Sequence, residues 1–147
     1  MSEEPWNTQA QKAQDGLEPI RFLLGDWTGS GTCHGEKVEG RLSVQPRIDG
    51  TWIEAIETLL DPRGETIHTD VSLYRFDVKN ENIEVIQLSE HAQRVISTVE
   101  LFSDGFRWIT GPGAPQLRFW IKDDSFRYSV TMPDDGAVMM EMAYTRS

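Results

Sequence analysis

One cysteine, Cys33, stands in the whole chain of 147 residues. A lone thiol excludes an intramolecular disulfide, a paired-cysteine zinc site and a Cys-x-x-Cys redox pair, and it suits a reducing compartment. Cations are scarce as well: 14 Lys and Arg stand against 24 Asp and Glu, for a formal net charge of −10. Such a surface lacks the clustered cations that displace counterions from a phosphate backbone, so nucleic acid is set aside as a partner. The excess acid serves solubility. Long apolar runs are missing too. Residues 1–16 are polar and acidic, without the apolar stretch of a secretory signal, and no later run approaches membrane-spanning length. These absences point to a cytoplasmic chain with no membrane partner.

Histidine is also sparse. His34, His68 and His91 are the only three, and they fall on different predicted strands with no His-x-Glu or His-Glu-x-x-His spacing. No metal site is legible from them.

What remains is a domain long enough to bury a core without staples. Residues 1–16 read as a flexible tail or a loosely docked short helix, and residues 17–147 as one barrel domain. Leu17, Ile20, Phe22, Leu23 and Leu24 are crowded enough for a short helical plug over one barrel end, with Pro19 tolerated in its first turn. Beyond Gly25 come about ten short segments rich in β-branched and aromatic residues, separated by Gly, Pro, Asn and Asp. They run over 27–34, 38–48, 51–60, 67–77, 83–88, 91–102, 106–110, 116–122, 125–132 and 138–145. Asp49-Gly50 and Asp104-Gly105 suit tight hairpin turns that need positive φ, and Asp61-Pro62-Arg63-Gly64 places Pro where φ near −65° is wanted. Short connections make an up-and-down antiparallel meander. Ten such strands are expected to close into an all-β barrel of lipocalin-like form, because an open sheet would expose two edges. The alternation of Gly29 and Gly31 supports the sharp bending that closure demands.

The run Phe22-Leu23-Leu24-Gly25-Asp26-Trp27-Thr28-Gly29-Ser30-Gly31 resembles the opening of nitrobindins and of related lipocalin-like and fatty-acid-binding-protein-like (calycin) domains. Those barrels begin with Phe-Leu-Leu-Gly-x-Trp-x-Gly-x-Gly, and the likeness extends in layout over most of the chain to Tyr144-Thr145-Arg146. It implies a structural contact between Trp27 of the first strand and Arg146 of the last. A guanidinium over an indole would add cation–π energy of about 0.5–2 kcal/mol. Nitrobindins hold haem through a late axial histidine, where this sequence has Met139-Met140-Glu141-Met142. Methionines there read as adaptable core filler, so haem is not the expected cofactor.

The candidate pocket is assembled from Trp52, His68, Tyr74, Gln87, His91, Trp108, Arg118 and Tyr128, which come from separate strands. Phe119 or Trp120, and Phe126 or Tyr128, would complete the aromatic set. His68 shares a strand face with Asp70, Ser72 and Tyr74. That face either meets solvent while Ile67, Val71 and Leu73 pack inward, or lines a polar cavity. Alternation favours solvent, since antiparallel sheets commonly carry one wet face. Gln87, His91 and Arg118 would suit an amphipathic ligand with an acidic or carbonyl end.

Ser89-Glu90-His91 offers a serine and an acid–base pair, but no Gly-x-Ser-x-Gly elbow is present and adjacent strand residues point to opposite faces. Gly111-Pro112-Gly113-Ala114-Pro115 lacks a lysine and a following helix, so it reads as a pocket rim and not a phosphate cradle. The leading expectation is a binding protein for a small apolar or amphipathic ligand. The alternatives are an atypical haem protein using His91, His68 or Met139, and a barrel enzyme using His68 or His91 with Tyr74. The outer face could also support a homodimer.

Overall fold

The computed structural model describes residues 5–147. Residues 1–4 of the expected tail lie outside the described residues, and Pro5–Gly16 form an α-helix, α1. A 3-10 turn over Glu18–Leu23 follows, with Pro19 in its first positions, where no backbone N–H is required. Leu17 and Ile20 are wholly buried and Leu23 nearly so, which makes this turn the plug of the barrel. The helix is tied down at its C-terminal end. Gln14 Nε2 donates to the Asp49 carbonyl at 2.5 Å, Arg21 donates to the Gln14 carbonyl at 2.9 Å, and a Cβ on Gly16 would enter the Phe76 ring.

Ten strands follow: β1 (Gly25–Cys33), β2 (Glu36–Arg47), β3 (Trp52–Leu60), β4 (Thr66–Asp77), β5 (Asn82–Ser89), β6 (Arg94–Phe102), β7 (Gly105–Ile109), β8 (Gln116–Lys122), β9 (Ser125–Thr131) and β10 (Val138–Arg146). Each pairs antiparallel with its sequence neighbours, and β1 pairs with β10, so the sheet is a closed ten-stranded barrel without edges. The expected meander and closure are both present. No helix among the described residues is long and apolar enough to cross a membrane.

The seam between β1 and β10 is pinned where the register sets Trp27 opposite Arg146. The guanidinium lies 4.2 Å from the indole centroid and donates to the carbonyls of Phe22 and Leu24 at 2.6 and 2.8 Å. Trp27 Nε1 donates to the Leu23 carbonyl at 2.8 Å. Two residues therefore hold the plug, the first strand and the last strand together. Above the plug the barrel is filled by aromatic rings: Phe106 and Phe119 stack at 4.3 Å, and Trp27 meets Phe126 edge-on at 4.8 Å.

Glycine on β1 and β2 has a second task besides bending. Gly29 pairs with Gly40 on one side and with Tyr144 on the other. A Cβ at either glycine would clash with the Tyr144 ring or hydroxyl, so the two bare positions leave the space through which Tyr144 crosses the barrel.

Candidate functional site

Toward the end opposite the plug the filling stops and leaves a cavity of about 430 Å³. This lies within the range of about 300–1,000 Å³ typical of small-molecule sites. Leu23 bounds it from the plug side, while Ala114, Pro115 and the β5–β6 turn surround the other end. Most of the wall is apolar, from residues such as Leu42, Val44, Leu117, Phe119, Val130 and Met140.

Strand parity decides which side chains reach it. On β3 the buried residues are Ile53, Ala55, Glu57 and Leu59, so one carboxylate stands in an otherwise apolar inward face. On β4 the inward set is His68, Asp70, Ser72 and Tyr74. This corrects the expectation that the polar face meets solvent. Asp70, Ser72 and Tyr74 are buried, whereas Ile67 is 48% exposed. Register brings Glu57 directly opposite Asp70.

The polar groups form a chain of contacts along one wall. Glu57 accepts from Tyr128 Oη at 2.8 and 2.7 Å through its two oxygens, and from Tyr144 Oη at 2.6 Å. His68 Nε2 meets Asp70 Oδ2 at 2.8 Å, and His68 Nδ1 meets Glu90 Oε1 at 2.8 Å. Burial, reinforced by the neighbouring Asp70 charge, pushes Glu57 up to about 7, although both tyrosine hydroxyls and His68 pull the other way. Asp70 and then Glu90 raise His68 to about 9 against the effect of burial. At neutral pH the imidazole therefore carries both protons and donates through both nitrogens. Burial first, and then the Glu57 charge, pushes Tyr128 and Tyr144 upward, so both stay protonated as donors.

Of the residues expected in the pocket, His68, Tyr74, Gln87, His91, Trp108 and Tyr128 line the cavity. Trp52 and Arg118 do not. Trp52 has the opposite parity to Ile53 and Ala55 and sits across from Arg47 and Arg75 on the outer surface. Arg118 also points outward, stacking on Phe102 and Trp120 at 4.5 and 4.8 Å and bonding Asp104 at 2.8 Å. Of the three groups expected to meet an acidic or carbonyl ligand end, Gln87 and His91 are at the cavity and Arg118 is not. Phe119, not Trp120, faces the cavity; Tyr128 lines it, and Phe126 is buried in the aromatic filling.

The position of His91 also differs from the expected strand start. Ser89 to Gln93 form a turn, closed by Ala92 N–H to the Ser89 carbonyl at 3.0 Å, with Ala92 at φ 58°. Turn geometry lifts the opposite-face constraint that a strand would impose, so Glu90 Oε1 lies 3.8 Å from His91 Nε2 as well as bonding His68. Ser89 Oγ is buried without a hydrogen-bond partner among the described residues, and it has no base to activate it.

His68 has both ring nitrogens engaged by carboxylates, and Met139 is not among the lining residues. His91 is 74% exposed on its turn, at the cavity rim. Among the described residues no group of three His, Cys, Asp or Glu is arranged to hold a metal ion.

Glu57 and Tyr144 were missed in the sequence reading. The signal for Glu57 was present: it is the one acid in phase with Ile53, Ala55 and Leu59. A search of protein-family models finds none that matches the chain, and a search of curated proteins finds none that matches its sequence.

Proposed function

We propose that this chain is an intracellular binding protein that encloses a small molecule with an apolar body inside the barrel. The observation that carries this reading is the cavity of about 430 Å³, apolar over most of its wall and polar along one side. Burying an apolar body there is favourable by about 25 cal/mol for each Å² removed from water. The hydrogen-bonding groups of one wall would set orientation. The resemblance to fatty-acid-binding-protein-like domains supports the same reading, and the single thiol of Cys33 suits a reducing compartment.

Native mass spectrometry of the purified protein, before and after extraction with organic solvent, tests this. The expected result is a mass increment of a small molecule that extraction removes, or one-to-one uptake of an added apolar compound by the extracted protein. A bare mass before extraction, together with no uptake afterwards, would contradict it.

A further inference from the structure

Resting on the binding reading above, we infer that the cavity selects a ligand whose polar end is a protonated amine or comparable cation, seated against Asp70 and Glu57. Three observations carry this. First, the two carboxylates face each other across β3 and β4, each less than a tenth exposed, and both line the cavity. Second, their hydrogen bonds leave one vacancy. Glu57 has both oxygens occupied by tyrosine hydroxyls, but Asp70 accepts only from His68, through Oδ2. Its Oδ1 accepts from no group among the described residues and is not a buried atom, so it is open to a donor placed in the cavity that Asp70 lines. Third, among the described residues no lysine or arginine lines the cavity to receive an acidic ligand. Arg118 lies outside it, and His68 is spent between Asp70 and Glu90.

The titratable groups on this wall and around it are Glu57 from β3, His68 and Asp70 from β4, and Glu90 and His91 from the β5–β6 turn, with the hydroxyls of Tyr74, Tyr128 and Tyr144 beside them. The His68 imidazole is shared between Asp70 and Glu90, and Glu57 adds a further negative charge as it ionises through about 7, so the carboxylates outnumber the cation that pairs with them. An ammonium group supplies the missing donor at Asp70 Oδ1 and relieves the repulsion between Asp70 and Glu57. A carboxylate would add a further negative charge with no cation to meet it. An alcohol could donate one hydrogen bond but would neutralise nothing.

The test is calorimetric titration of the extracted protein with three probes of equal chain length: octylamine, octanol and octanoate. Octylamine is expected to bind at least about tenfold more tightly than octanol, a difference of about 1.4 kcal/mol, with octanoate weakest. In folded Asp70→Asn and Glu57→Gln variants the amine-to-alcohol ratio is expected to fall toward one. Octanol or octanoate binding as tightly as the amine to the unaltered protein would overturn the inference while leaving the container reading standing. A preference for the amine that survives both substitutions would overturn the assignment to these carboxylates. If none of the three probes binds, the container reading falls with the inference.

Discussion

Tyr144, near the end of the last strand, crosses the space left by Gly29 and Gly40 and donates a hydrogen bond of 2.6 Å to Glu57 on the third strand. The bond links the seam of the barrel to the wall of its cavity. It gives a buried carboxylate a fixed position, and together with Tyr128 it opposes the rise in pKa that burial imposes.

Removing the hydroxyl with Tyr144→Phe is expected to cost about 1.5–3 kcal/mol at pH 8, where Glu57 is ionised, because the lost bond is to a charged group. Gly40→Ala should act on the same bond by displacing the ring, at about 1–3 kcal/mol. Since both changes break one contact, the double variant is expected to be less destabilised than the sum of the singles. Urea denaturation of the four proteins measures this, and strict additivity would sink the proposed link.

Stability should fall as pH rises from about 4.5 to about 9, by two separable contributions. Glu57 has a folded pKa of about 7 against an ordinary 4.5, so the folded state holds its proton longer and loses that advantage as pH climbs through this window. His68 has a folded pKa of about 9 against 6.5. Its contribution is complete below 6.5 and disappears as pH rises through 9. Melting temperatures across this range should decline. Glu57→Gln should flatten the lower part of the curve and His68→Asn the upper part.

Arg146→Lys should destabilise the fold by about 0.5–2 kcal/mol even though the charge is kept. Lysine cannot cover the Trp27 ring at 4.2 Å while bonding the carbonyls of Phe22 and Leu24, as the guanidinium does. The denaturation midpoint reads this directly, and an unchanged midpoint would mean that the cover over Trp27 contributes little to closing the barrel.

The strand order was legible because turns and β-branched runs act locally. Nine of the ten observed strands begin within two residues of the expected segments; Leu17, Ile20 and Leu23 mark the plug just as openly. Side-chain direction was harder to read. On β4 the apolar residues Ile67, Val71 and Leu73 face outward and the polar set faces inward, the reverse of the usual alternation. Local pattern cannot reveal this inversion, because the partners that make it affordable come from elsewhere: Glu57 from β3, Tyr128 from β9 and Glu90 from the β5–β6 turn. Arg118 was misplaced for a related reason. It has an outward partner in Asp104 and aromatic rings on either side, none of which a pocket argument considers.

The claim at the centre of this account is that the cavity itself takes up an apolar molecule. Fluorescence titration with the neutral dye Nile red tests it most directly, comparing the unaltered chain with Ala55→Phe, which places a ring into the cavity from a buried wall position. The expected result is saturable one-to-one binding to the unaltered protein and its loss in a variant whose circular dichroism still reports a folded barrel. Equal binding by both proteins would place the dye on the outer surface and contradict the account.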